Sequence, residues 1–273
     1  MPANHRRIPL AILLTLVSTG VLAFVLARPK DPLAATEAPQ AAAQRSSAIQ
    51  AQRANAFRNL SRQPEAFNLA KRLGKRFSPN QRGKSVLAGE LTVGTEKRSL
   101  HIIRSQKDDG EQVEIDIAGS PGPLVWETEQ GGMAKGKQGS NELDLLERLA
   151  LDSPDQFVLA QLRGASYFTI ARNVRPEEAG ENYDGPLWNI VRVDDSQRDE
   201  QKRPQSPWRL YYINVKTGLI DRIVSEINGE RVEATMAGWT EVKGERVPSE
   251  VVWTRGGNTI MHFRLTKFAH TQQ

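Results

Sequence analysis

Side chains able to do acid–base, nucleophilic or metal chemistry are few in this 273-residue chain, and they are scattered. Its four histidines are His5, His101, His262 and His270. His5 lies in a segment that reads as a targeting signal, and His270 is nearly terminal. His101 and His262 fall inside predicted strands, and neither has a carboxylate or a second histidine at i+2 or i+4. Only such spacings set two ligands on one face of a strand or helix. A strand histidine of this kind is expected to be a packed or edge residue. Cysteine is absent, which removes disulfides, thiolate nucleophiles and cysteine-bound zinc together. It also removes the acylated cysteine by which a bacterial lipoprotein is held. H-E-x-x-H, G-x-S-x-G, P-loop and G-x-G-x-x-G patterns do not occur. Ser120 and Ser140 stand beside glycine in evident turns, and Asp108-Asp109 begins like a calcium loop whose oxygen spacing does not continue. Paired carboxylates meet only in three dimensions, so the sequence neither offers nor removes them. The expectation is a non-enzyme with no catalytic residue, metal or cofactor.

The aromatic residues say more. All five tryptophans, Trp126, Trp188, Trp208, Trp239 and Trp253, fall in the β-rich part of the chain, with Tyr167, Tyr211 and Tyr212 among them. Two readings stay open. Large side chains fill the core of most β domains. Alternatively, a sheet curving around an incompletely filled interior leaves an apolar cavity that they line. In the second reading the ligand-binding candidates are Trp126, Trp188, Trp208, Tyr212, Trp239 and Trp253, and a cavity of roughly several hundred Å³ is expected.

Those residues must be carried by an exported domain. Residues 1–7 hold two arginines and no acid, and 8–27 (IPLAILLTLVSTGVLAFVLA) are uncharged and mostly apolar. About 20 such residues, at about 1.5 Å rise each, span a ~30 Å hydrocarbon core. With the basic end retained in the cytoplasm, the remainder is translocated. Val21-Leu22-Ala23 and Val25-Leu26-Ala27 are passable cleavage sites, so 1–27 reads either as a signal peptide or as a membrane anchor. The expected location is periplasmic, free or tethered to the inner membrane through residues 8–27.

The formal charge of +5 and the pI near 9.5 invite a nucleic-acid reading until the charge is located. Residues 28–82 carry eleven Lys/Arg against three Asp/Glu, whereas 83–273 carry 24 against 29. The domain itself is mildly acidic, so no nucleic-acid partner is expected.

Residues 28–45 are rich in Pro, Ala and Gln and read as a linker, leaving 46–273 as the working domain. From Ser46 to Phe77 apolar residues recur at helical spacing, with a break near Pro64. The polar face of the second helix carries Lys71, Arg72, Lys75 and Arg76, which suits solvent or anionic headgroups. Strands follow at Val86–Val93, Ser99–Arg104, Val113–Ile117 and Leu124–Glu129, and 130–139 reads as a loop or weak strand. A helical insert begins at Ser140, and Asp152-Ser153-Pro154 caps and starts its second helix, which stops at Gly164. Strand patterns return at Tyr167–Val174 and Leu187–Val193, and then at five sites between Trp208 and Phe268. The last five are separated by Lys216-Thr217-Gly218, Asn228-Gly229, Lys243-Gly244 and Gly256-Gly257-Asn258. The expected fold is therefore α+β: a curved antiparallel sheet, an incomplete β-barrel, with helices packed on one face. An N-terminal membrane helix or signal peptide precedes it.

The run WRLYYINVKTGLIDRIVSEINGERVEATMAGWTEVKGERVPSEVVW resembles the end of the LolA/LolB-like outer-membrane lipoprotein-sorting family. That family has a D-x-x-T-G-L-P-type turn followed by a G-x-x-x-P element. Lys216-Thr217-Gly218-Leu219 and Gly244-Glu245-Arg246-Val247-Pro248 match them, with Asn214 in place of the Asp and Ile220 in place of the Pro. The resemblance covers 208–268 well and 84–129 by general pattern. It implies an incomplete barrel closed by helices, with a hydrophobic cavity for acyl chains or an apolar segment of a partner. Two functions follow as expectations. One is an envelope protein binding lipid, a lipoprotein or a similar apolar ligand. The other is a membrane-tethered interaction or sensor domain that contacts another envelope protein without bound ligand. The sequence leaves the oligomeric state open.

Overall fold

The computed structural model describes residues 60, 62–74, 83–107, 110–127, 133–135, 145, 148–162, 165–176, 183–194, 208–227 and 230–272. The expected targeting segment, the linker and the Asn228-Gly229 turn lie outside them. Among the described residues no helix is long and apolar enough to cross a membrane.

Among the described residues twelve strands form one open antiparallel sheet: β1 (Gly83–Val93), β2 (Glu96–Lys107), β3 (Gly110–Ile117), β4 (Leu124–Glu127), β5 (Met133–Lys135), β6 (Ser166–Val174), β7 (Trp188–Asp194), β8 (Arg209–Asn214), β9 (Ile220–Ile227), β10 (Glu230–Val242), β11 (Glu245–Arg255) and β12 (Asn258–Gln272). Their order is β5-β4-β3-β2-β1-β12-β11-β10-β9-β8-β7-β6, so every adjacent pair is consecutive in sequence except β1 and β12, and the consecutive β5 and β6 lie at opposite edges. A sheet this wide curls rather than lying flat. The open edges are the three-residue β5 and the nine-residue β6. The expected sheet class is present, and the weak strand within 130–139 is β5.

The turns obey local rules. Lys243 and Gly244 both take positive φ (52° and 80°), as do Gly256 and Gly257, which gives two-residue hairpins whose twist matches their strands. At Gly89 the β1–β12 register slips, and Thr266 is the extra residue, its hydroxyl donating to Ala88 O at 3.0 Å. A Cβ on Gly89 would overlap the Arg264 carbonyl and the Phe263 ring, so glycine is required for close approach.

Two helices are described, α1 (Pro64–Leu73) and α2 (Pro154–Leu162). Pro64 opens α1 at a position whose N–H has no helical partner, and Ala66, Leu69, Ala70 and Leu73 form its buried side. Lys71 and Arg72 stay exposed, with Lys71 Nζ 4.1 Å from the centre of the Phe67 ring. Both helices share one core with the alternate residues of the strands: Leu87 and Leu91, Val113 and Ile115, Tyr211 and Ile213, Val251 and Trp253. Phe157 of α2 is fully buried and meets Tyr211 and Tyr167 edge-on, at 4.8 and 5.2 Å between ring centres. The Tyr167 hydroxyl also donates to the Phe157 carbonyl. Burying each such side chain contributes roughly 1.5–3 kcal/mol, so this seam fixes α2 to the β6–β8 end of the sheet.

Candidate functional site

A pocket opens where the start of α2 meets strands β1, β2, β11 and β12. Leu87, Ile102, Leu149, Val247, Pro248, Val251, Trp253 and Phe263 make its apolar wall; Arg104, Asp152, Ser153, Pro154, Asp155 and Arg246 complete it. The chain creates it through an interruption in the sheet. β12 pairs with β11 only from Glu250 onward, while its second half pairs with β1. The first residues of β11 therefore bond to β10 alone. Pro248 sits in that stretch, opposite Trp239, where a missing N–H removes no bond to β12. The cavity measures about 40 Å³. That is space for a few waters, not for an acyl chain, and it falls short of the several hundred Å³ expected from the sequence.

Below the apolar wall, the turn into α2 carries an unusual density of buried charge. Asp152, Ser153, Asp155 and Gln156 are all buried. Arg104 from β2 pairs with Asp155. Asp152 receives Arg209 Nε of β8 at 3.4 Å, and Arg148 approaches its other oxygen at 3.8 Å. These pairs tie one short segment to two strands far apart in the sheet. The expected helix start at Asp152-Ser153-Pro154 is present, with Gln156 N–H donating to Ser153 O at 3.0 Å. Its polar residues point inward, a placement that the capping pattern alone does not reveal.

A second buried cluster joins the strands at the splay. Ser85 Oγ and His270 Nδ1 lie 2.9 Å apart, and His270 Nε2 is 3.9 Å from Glu245 Oε1. The residue types are those of a nucleophilic triad, yet Ser85 is 2 % exposed and the His–Glu separation exceeds a hydrogen bond. The arrangement couples β1, β11 and β12 instead. Gly74, which ends α1 with φ of 121°, rests on the Glu245 carboxylate, where a Cβ would overlap it. His270 is thus a buried structural residue rather than a loose terminal one. Its pairing partner, Ser85, is 185 residues away in sequence, so no local signal announces the contact. His262 Nε2 likewise meets Glu250 Oε1 at 2.7 Å across the β11–β12 ladder, and His101 is exposed on β2. No group of three or more metal-ligating side chains occurs among the described residues.

Of the six aromatic candidates, the five whose side chains are described do not converge on one place. Trp253 is buried and lines the pocket. Trp126 stands opposite Val113 in β4, and half-buried Trp239 packs against the core. Trp188, Trp208 and Tyr212 belong to the other face of the sheet. There Trp188 and Tyr212 meet edge-on at 6.2 Å, and Arg222 and Arg192 lie over Tyr212 and Trp208 at 3.9 and 5.7 Å. Trp188 Nε1 donates to Asp221 Oδ2 at 2.8 Å, which gives this set a structural use. Of the motifs read from sequence, Gly244–Pro248 bears on the pocket directly, because Arg246, Val247 and Pro248 line it.

No family model matches this chain, and no curated protein matches it. Solved structures do resemble it. A domain named for outer membrane lipoprotein sorting from Vibrio parahaemolyticus is 7 % identical, covers 69 % of this chain and 86 % of its own, and superposes with a TM-score of 0.45. A DUF1329 family protein from Desulfovibrio piger is 11 % identical over 81 % of this chain and 92 % of its own, at 0.45. A LolA superfamily protein from Nitrosomonas europaea is 9 % identical over 74 % and 92 %, at 0.43. The structural neighbours of this chain thus include proteins of the LolA, lipoprotein-sorting superfamily.

Proposed function

We propose that this chain is an exported envelope protein that takes an apolar ligand, a lipid or the acyl part of a lipoprotein, between its sheet and α2. The observation that carries the reading is the pocket: eight apolar side chains from four strands and the segment before α2 converge at a gap in the sheet ladder. At about 40 Å³ it represents a closed state, and a chain-length ligand enters by displacing α2 and the turn before it. That segment is held by the buried Asp152 and Asp155 pairs, the Phe157 seam and the core packing of Leu149, Val158 and Leu159, all of which an entering chain must loosen. Residues 8–27, if retained, hold the protein at the membrane; if cleaved, they leave a soluble carrier.

Native mass spectrometry of the full chain isolated from envelope fractions tests this. A bound amphiphile is expected, lost in Val251→Phe, which fills the pocket. A ligand-free chain that also ignores added alkyl probes would sink the proposal. Sizing the mature N-terminus in the same spectra separates carrier from tethered protein: loss of about 27 residues removes the tether.

A second reading, an interaction domain without ligand, is favoured by edge strand β6. It carries Phe168 and Ile170 at 49 % and 56 % exposure, two of the four exposed large hydrophobics among the described residues. In that reading Phe168→Ser and Ile170→Ser abolish partner capture, while Val251→Phe does not.

A further inference from the structure

The pocket is apolar along its wall but not at its inner end. Outside the Arg104–Asp155 pair, three of its lining groups are buried without a hydrogen-bond partner among the described residues: the donors Trp253 Nε1 and Ser153 Oγ, and the carboxylate oxygen Asp152 Oδ2. Trp253 is 2 % exposed and Ser153 7 %, so bulk water satisfies neither. An indole N–H can only donate, and leaving it buried and unbonded costs about 1–3 kcal/mol. The same end of the pocket is formed by Ser153, Pro154 and Asp155, where the positive end of the α2 dipole lies. Arg104 of β2 adds a guanidinium. The two carboxylates at this end are outnumbered by three guanidiniums, those of Arg104, Arg148 and Arg209. Asp155 is engaged by Arg104, and Asp152 faces both Arg209 and Arg148. Arg209, behind Asp152, keeps a further buried donor, Nη2, without a partner.

We infer that the pocket is selective for amphiphiles with a single anionic oxygen head, a carboxylate or a phosphate monoester. The head sits at the start of α2, accepts hydrogen bonds from Trp253 Nε1 and Ser153 Oγ, and faces Arg104. The tail runs along Leu87, Ile102, Val251 and Phe263. This rests on the apolar-ligand reading above and names the class of ligand that reading leaves open. A purely apolar ligand would leave both donors unbonded, whereas a charged acceptor gains from each.

The test uses the full chain in detergent and three probes of equal chain length: palmitate, hexadecyl phosphate and hexadecane, compared by competition in native mass spectrometry. Palmitate or hexadecyl phosphate is expected to bind at least about tenfold more tightly than hexadecane. Ser153→Ala removes one donor at nearly constant volume; Trp253→Phe removes the other but also trims the apolar wall, so the readout is each anionic probe's affinity relative to that of hexadecane. Together they are expected to erase most of that preference, a fall of roughly ten- to a hundredfold in the affinity of the anionic probes relative to that of hexadecane. Which anion binds better identifies a fatty-acid or a phospholipid-type source. Equal affinity for all three probes, or equal weakening of all three by the substitutions, overturns the inference while leaving the apolar cavity standing. Failure of every probe, hexadecane included, overturns the cavity reading and this inference with it. Circular dichroism of each variant shows whether it is folded, and Ser153→Ala alone retains the test if Trp253→Phe unfolds.

Discussion

Asp152→Asn is the most informative single perturbation of this fold. The substitution keeps the shape of the side chain and removes its charge, leaving the Arg209 guanidinium, 7 % exposed, facing a neutral amide 3.4 Å away. Breaking one side of a buried ion pair costs about 3–5 kcal/mol, because the remaining ion stays desolvated. The contacts here, 3.4 and 3.8 Å, are long for charge-assisted bonds, which argues for the low end, about 3 kcal/mol. In a domain of this size each kcal/mol lowers Tm by about 2–4 °C, so a drop of roughly 6–12 °C is expected. Thermal and urea unfolding of the full chain, followed by near-ultraviolet circular dichroism, measure it. The partner substitution Arg209→Met completes a double-mutant cycle. With both charges gone only the more distant Arg148 still faces the neutral amide, so the double variant should be more stable than the sum of the singles by at least about 1 kcal/mol. Additivity within about 0.5 kcal/mol, or a Tm change under about 2 °C for Asp152→Asn, would refute the claim that buried charge fastens α2 to β8.

Asn214→Asp puts a second carboxylate where the amide Nδ2 now donates to Asp221 Oδ2 at 2.8 Å; it should cost about 1–3 kcal/mol in urea unfolding, and Asp221→Asn should restore most of that. Gly89→Ala forces a methyl into the Arg264 carbonyl and the Phe263 ring, and a loss of about 1–3 kcal/mol with an otherwise native spectrum is expected from the same assay. Exposed Glu90 is held below its ordinary 4.5 chiefly by the hydrogen bond from Lys97, with the charges of Lys97, Arg264 and His262 adding to it. Because the folded-state value is the lower one, this contribution is present above the unfolded value and disappears as pH falls through the folded one. Carboxyl-carbon NMR should show Glu90 titrating below 4.5 and moving back toward it in Lys97→Met.

The sheet was legible in the sequence because its signals are local. Alternating strands, two-residue turns such as Lys243-Gly244, and a Pro-opened helix at 154 each depend on residues within a few positions of one another. The pocket was only half legible. Gly244–Pro248 could be found by its resemblance, but its use as a wall depends on where β12 leaves β11 for β1, a register choice that no single segment encodes. Tryptophan content was a poor guide for a related reason. Burial of an aromatic ring is equally served by either face of a sheet, and one register step decides which. Trp253 thus meets the pocket, while Trp188 and Tyr212 lie opposite.

The departure at Asn214 shows how a broken motif can carry information. A turn of this type needs a side-chain oxygen at its first position, and Asn214 Oδ1 accepts the N–H groups of Lys216 and Thr217 at 2.9 and 3.1 Å. Aspartate would serve that end of the turn equally well. It could not serve the other end, where Asp221 already accepts Trp188 Nε1 and needs a donor rather than another acceptor. The amide supplies both polarities at once, so the residue at 214 is chosen by its partner seven positions on. Here Asp221 directly follows Ile220, which replaces the proline of the resembled motif. The two departures therefore flank one polar contact, and this face of the sheet uses its tryptophan as a fixed structural donor, whereas Trp253 Nε1, at the pocket, has no hydrogen-bond partner among the described residues.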